Sequence, residues 1–169
     1  MRFLYVFAAM IMLPQSGVAQ TVVPGARAVH DAEQTAASMK PFFSNLRRPD
    51  SPNHCLVAPA GFAVKPDVLA PVFGVPAAKL HLVMKALVQQ TKGTSIATET
   101  ADGLHIIVTS RVFGFKDDVR IHIVPLSPQE STLLMYSSSR VGYWDLGVNR
   151  RRTEDWLARL QTAVSASGQ

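Results

Sequence analysis

An alternation of apolar and polar residues, running with short breaks from Leu104 to Tyr136, leaves this chain few ways to fold. Leu104, Ile106 and Val108 share one parity, and His105, Ile107 and Thr109 the other. Val119, Ile121 and Ile123 then alternate with Arg120, His122 and Val124, and Leu133 and Met135 with Leu134 and Tyr136. A period of two is the signature of β-strands. The breaks are turn-formers: Ala101-Asp102-Gly103 reads as a tight hairpin, Phe113-Gly114-Phe115 as a bend and Ser127-Pro128 as a turn. With the β-rich run Thr94–Thr100 ahead of them, these segments spell a four-stranded antiparallel meander. One face is apolar throughout and must be covered by helices. The other is mixed, which predicts partial cover by another part of the chain or by a ligand.

Helices flank the meander. After Val75-Pro76, with Pro76 near N1, the residues Leu80, Val83, Met84, Leu87 and Val88 recur at helical spacing. Lys79, His81, Lys85 and Gln89 take the opposite face, so His81 is expected at the surface. The helix should stop near Lys92-Gly93, where glycine can take the left-handed cap. A last helix is predicted from Thr153 to about Ala166, with Trp156, Leu157, Leu160, Ala163 and Val164 as its stripe. Thr153 suits the N-cap, and Glu154 and Asp155 suit the positive end of the helix dipole. Pro41 to Pro76 holds seven of the eleven prolines. No long helix can cross it, and it reads as an irregular strap. The expected fold is α+β in two layers: a helix, the meander and a second helix, with the proline-rich strap at the N-terminal side. Residues 1–19 read as a leader, 20–50 as a loosely ordered lead with a faint helical stretch at His30–Lys40, 51–166 as one domain and 167–169 as a tail.

Between the last strand and the last helix lies Ser137–Arg152, which has neither period. It holds four arginines (Arg140, Arg150, Arg151 and Arg152), with Asp145, Asn149, Gly142 and Gly147 among them. The pattern S-x-S-R-x-G-x-x-D-L-G-x-N-R-x-R, preceded by Phe115-Lys116-Asp117-Asp118, resembles an uncharacterised family, the domain of unknown function 1499. The resemblance runs from about Ser51 to Leu160. Ser51-Pro52-Asn53-His54-Cys55 resembles the family's opening motif, which usually reads S-P-N-C, so that His54 is a departure from it. The resemblance implies no activity.

The N-terminus predicts export. Met1-Arg2 is a short positive region, Phe3 to Leu13 is apolar and uncharged, and Gly17-Val18-Ala19 offers the small residues a signal peptidase reads. The apolar run is too short for a span, which needs about 20 residues. No later stretch is long and apolar enough to cross a bilayer. The product is expected in the periplasm of a Gram-negative cell, or secreted otherwise. Cys55 is the one cysteine, so no disulfide forms within the chain; it is expected to be a small buried residue. A formal net charge of +5 permits polyanion contact without demanding it. The arginines cluster in a loop with no nucleic-acid motif beside them, so nucleic acid is not the expected partner.

Three arginines at a helix N-terminus oppose the dipole and need compensation. Asp117, Asp118 and Asp145 can supply it as an internal Arg–Asp clasp, or a bound anion can supply it through arginine forks and free N–H groups. Asp117 and Asp118 are adjacent on an extended segment and point to opposite faces, so at most one is expected to meet the arginine loop. Neither a metal nor another cofactor is expected: His105 and His122 share the mixed face without a third ligand at useful spacing. Ser137 to Ser139 lack a nucleophile elbow. The candidate ligand-binding or clasp residues are Asp117, Asp118, Arg140, Asp145, Asn149, Arg150 and Arg152. The reading is a non-catalytic binding or accessory module of the cell envelope, taking an anionic or polar ligand or an envelope protein at this loop. The alternatives are a hydrolase using His and Asp around the same loop, and a structural accessory whose loop is only a clasp.

Overall fold

The computed structural model describes residues 38–111 and 113–167. The leader and most of the 20–50 lead lie outside them. The chain runs α1 (Lys40–Ser44), β1 (His54–Ala58), β2 (Val68–Leu69), α2 (Ala77–Gln90), β3 (Thr94–Thr100), β4 (Gly103–Thr109), β5 (Lys116–Ser127), β6 (Glu130–Ser139) and α3 (Val148–Ala166). The fold is α+β, and β3 to β6 form the antiparallel meander.

The sheet is larger than the meander. It has six strands in the order β2-β1-β6-β5-β4-β3, with β1 antiparallel to β6 and β2 parallel to β1. The segment expected to be an irregular strap therefore contributes two strands, and the sheet is mixed. Cys55-Leu56-Val57-Ala58 is a continuous apolar run, and all four residues are buried. A strand covered on both faces needs no alternation, so the period of two that marks the meander is absent here.

Parity sorts the sheet into two cores. Val57, Leu104, Ile106, Val119, Ile121, Ile123, Leu133 and Met135 face α2 and α3, meeting Leu80, Met84, Val88, Trp156 and Leu160. Burying each large apolar side chain there contributes about 1.5–3 kcal/mol. On the other face Leu56, Ala58, Leu134 and Tyr136 pack under Phe43, with Phe42, Leu46, Phe62 and Val64 around them. The mixed face is thus covered by the chain itself, by α1 and the segment after β1. That adds a third, partial layer to the two expected.

Helix α2 follows Pro76 and ends at Gln90 with an extended Thr91 as its C-cap; Gly93, expected as the left-handed cap, lies two residues beyond, where its φ of 81° serves the turn into β3. His81 departs from expectation: it is buried, with Nε2 3.3 Å from Glu99 of β3. The helix lies flat enough on the sheet that its edge, not only its apolar stripe, meets the edge strand. Helix α3 starts at Val148, five residues before the predicted Thr153. Arg150, Arg151 and Arg152 are therefore inside its first turns rather than ahead of them. Thr153 is no cap: it is buried, with Oγ1 2.9 Å from the Arg150 carbonyl and 3.2 Å from Cys55 Sγ.

Candidate functional site

The early start of α3 is the work of Asp145. Its Oδ1 accepts the Gly147 N–H at 2.9 Å and its Oδ2 the Asn149 N–H at 2.8 Å. A carboxylate on free N–H groups at a helix start satisfies donors and opposes the dipole's positive end, which offsets the arginines that follow. Burial alone would raise the Asp145 pKa, but the N–H groups of Asn149 and Gly147 outweigh it and hold the carboxyl below its usual range. Gly147, at φ 74°, makes the turn into the helix.

One turn on, Asn149 is fully buried and ties four parts of the chain together. Its Oδ1 accepts from Ser137 Oγ at 2.6 Å and Arg152 Nη1 at 2.8 Å. Its Nδ2 lies 2.7 Å from Asp145 Oδ2, 2.9 Å from the Asn53 carbonyl and 3.0 Å from Ser139 Oγ. The residue ahead of β1, strand β6, the turn and α3 are all held through this one amide.

The arginines divide. Arg152 donates to Ser137 Oγ at 2.8 Å and to Asp117 Oδ2 at 2.6 Å, and both side chains of the ion pair are only about a tenth exposed (11% and 12%). Arg140 grips Asp118 with two bonds, Nε at 2.7 Å and Nη2 at 2.8 Å. Asp118 also lies 2.6 Å from His105 Nε2. Hydrogen bonding from Arg140, ahead of opposing burial and a further bond from His105, brings the Asp118 pKa down to about 2. The expectation that at most one of the two aspartates meets these arginines is wrong. They do point to opposite faces, but each meets an arginine there: Asp117 takes Arg152 on the helix side, and Asp118 takes Arg140 on the other. Arg150 is different. Its side chain is more than half exposed and bridges to Glu154 one turn along, at 2.9 Å. Arg151 is exposed and donates to the Leu146 carbonyl at 2.9 Å.

Beside this clasp opens a cleft of about 510 Å³, lined by Arg48, His54, Asp67, Trp144, Leu146 and Arg150, with Arg150 Nη2 3.5 Å from the Asp67 carbonyl. Arg48 is the keystone of its wall. It donates to both oxygens of Asp67 at 2.7 and 2.8 Å, to the Lys65 carbonyl at 3.0 Å and, through Nε, to His54 Nε2 at 2.8 Å. Asp67 Oδ2 also accepts the Leu56 N–H at 2.8 Å, fixing the wall to β1. Burial and the Arg48 charge push the His54 pKa down, so the imidazole is neutral at pH 7. Cys55 adjoins the floor, almost fully buried, and burial pushes its thiol pKa up. Among the described residues no cluster of three His, Cys, Asp or Glu side chains gathers to hold a metal ion. Asp117, Asp118 and Asp145 are each engaged elsewhere.

The motif that carries the clasp matches a family model, Protein of unknown function (DUF1499), over residues 28–160. The chain belongs to this family. No curated protein matches it. Among solved structures, a START superfamily protein from Mycobacterium smegmatis is 16% identical, covering 58% of this chain and 97% of that one with a TM-score of 0.32. A score that low does not define a shared fold. Within the DUF1499 match, five of the candidate residues (Asp117, Asp118, Arg140, Asp145 and Asn149) lie in the clasp with Arg152, and Arg150 lies at the cleft. Sequence reasoning missed Arg48, Asp67 and the partners Asn53, Ser137 and Ser139. Arg48 and Asp67 sit in a proline-rich stretch without periodicity, where nothing local signals their pairing. Asn53 was visible as part of the opening motif, but its carbonyl's bond to Asn149 spans 96 residues.

Proposed function

We propose that this chain is an exported, non-catalytic binding module that takes a small anionic or polar ligand in the cleft between the Arg48 wall and the Trp144–Arg150 turn. One observation carries the reading. Arg140 and Arg152 spend their charge on internal aspartates, while Arg150 lines the cleft with its side chain more than half exposed, held only by an exposed pair with Glu154 and a long 3.5 Å contact to the Asp67 carbonyl. A fork of that kind, beside the apolar side chains of Trp144 and Leu146, suits a carboxylate or phosphate on an organic body. The titratable groups around the cleft argue against acid–base catalysis. His54 has Nε2 occupied by Arg48, the Cys55 thiol is buried, and Asp145 caps a helix. A His–Asp pair does exist in His105–Asp118, but its carboxylate is held by Arg140 and neither residue lines the cleft.

Export is tested by the intact mass of the chain recovered from the envelope, which should begin near Gln20; recovery only at full length refutes it. The cleft is tested by melting the protein in inorganic phosphate against chloride at matched ionic strength. Phosphate should raise the melting temperature through binding linkage, and Arg150→Ala should remove the rise. Identical melting in the two salts would leave the clasp as a purely structural device and reject the ligand.

A further inference from the structure

Two adjacent loops at one end of the sheet present apolar side chains that neither core uses. The β4–β5 loop carries Phe113 and Phe115, whose rings stack at 5.5 Å between centroids. The β6–α3 loop carries Val141, Tyr143, Trp144 and Leu146. The loops are neighbours, since they leave adjacent strands and the Arg140 N–H reaches the Lys116 carbonyl at 3.3 Å. Phe113, Trp144 and Leu146 are 75%, 71% and 79% exposed. Leu146 is also the one non-glycine residue with positive φ among those described, at 55°, a conformation a branched side chain adopts only under constraint. Here the constraint turns an apolar side chain outward. Exposed apolar residues elsewhere, such as Leu82 and Leu126, stand apart in sequence on other elements, and single ones are ordinary.

Among the exposed charges around these loops, cations outnumber carboxylates. Arg111, Lys116 and Arg151 are exposed, and among the described residues none forms an ion pair with a carboxylate. The carboxylates of this end are consumed: Asp117 by Arg152, Asp118 by Arg140, and Asp145 by the start of α3. The segment leading into β1 adds Arg47 and Asp50, which cancel. The clasp thus leaves an aromatic tip set in uncompensated positive charge.

We propose that this end of the molecule seats on an anionic lipid bilayer, with Trp144, Tyr143 and the two phenylalanines entering the interface and Arg111, Lys116 and Arg151 meeting the headgroups. Tryptophan and tyrosine favour that boundary because one part of the ring system is apolar and another hydrogen-bonds. Each cation near such a surface strengthens binding about five-fold. Protruding loops with a cationic surround suit an interface that side chains penetrate better than a flat protein face. Trp144 and Leu146 also line the cleft, so a bilayer and a cleft ligand would share these two side chains; the proposal rests on the exposure and charge of the tip and is tested with no cleft ligand added.

The full chain carries its own reporter. Of its two tryptophans, Trp156 is 2% exposed and Trp144 is in the tip. Vesicles of phosphatidylglycerol and phosphatidylcholine should shift the Trp144 emission to the blue, and lipids brominated on the acyl chain should quench it. Trp144→Phe should abolish both signals. Pure phosphatidylcholine should give neither, 0.5 M salt should weaken both, and Lys116→Gln with Arg151→Gln should weaken binding about 30-fold. Vesicle binding without Trp144 quenching would place the contact elsewhere on the chain, including its apolar N-terminus, and overturn the proposal. So would the absence of any vesicle response. Concentration-dependent self-association that Trp144→Ser removes, without quenching by lipid, would assign the tip to a second copy instead.

Discussion

Asp118 shows how a single residue contributes to the response of this protein to acid, alongside Glu99, Asp102 and Asp145, whose carboxyls are also held below their usual range. The Asp118 carboxyl is held at about 2 in the fold, chiefly by the two bonds from Arg140, against about 3.9 for an aspartate in an unfolded chain. The folded state therefore binds fewer protons than the unfolded state between those values. The stability that Asp118 contributes is full above about pH 4 and is lost as pH falls through 2. Melting temperatures recorded from pH 7 down to pH 2 should drop steeply below pH 4, and Asp118→Asn should start lower at pH 7 and fall less over the acid range. Superimposable profiles would mean that Arg140 does not hold this carboxylate. The composition of the clasp was legible in the sequence as arginines near aspartates, and parity correctly turned Asp117 and Asp118 to opposite faces. The pairing was not legible, because the β6–α3 loop straddles the sheet end. Arg140 leaves on one side of the sheet and Arg152 returns on the other, so both aspartates find a partner.

At the scale of elements, periodicity decided what could be read. The meander and α2 follow from strict periods of two and 3.6, and the residues assigned to the apolar face of the sheet are those that meet the helices. Strand β1 has no period because both its faces are covered, and its flanking prolines made the stretch look irregular. The start of α3 was misplaced because Thr153 followed by Glu154 and Asp155 looks like an N-cap with an acidic first turn. The true start is set by Asp145, through contacts of two and four residues that a helix-forming pattern does not reveal. The role of β1 carries its own prediction. Leu56 is fully buried between the segments that cover its face and the strand beneath. Leu56→Ala should destabilise by about 2–5 kcal/mol in denaturant unfolding, as a core truncation does. A loss of about 0.5 kcal/mol or less is what a surface strap would give, and would remove β1 from the core.

Across the whole molecule, the Ser137–Arg152 segment has two roles that the sequence could not separate. On the inside, Asn149, Arg152 and Asp117 bind the sheet end to α3 through a largely buried network. On the outside, Arg150 lines the cleft in an exposed pair with Glu154, and Arg151, with no carboxylate partner among the described residues, stands beside the exposed tip. Buried and exposed arginines answer differently to deletion. Removing one partner of a buried pair strands the other and costs about 3–5 kcal/mol, while an exposed pair one helical turn apart contributes about 0.3–0.5 kcal/mol. The division is tested most directly by equilibrium unfolding of Arg152→Ala and Arg150→Ala beside the parent, in chloride at pH 7. The account predicts a loss of about 3–5 kcal/mol for Arg152→Ala and of no more than about 0.5 kcal/mol for Arg150→Ala. Equal losses, or an Arg152→Ala curve that overlays the parent, would contradict it.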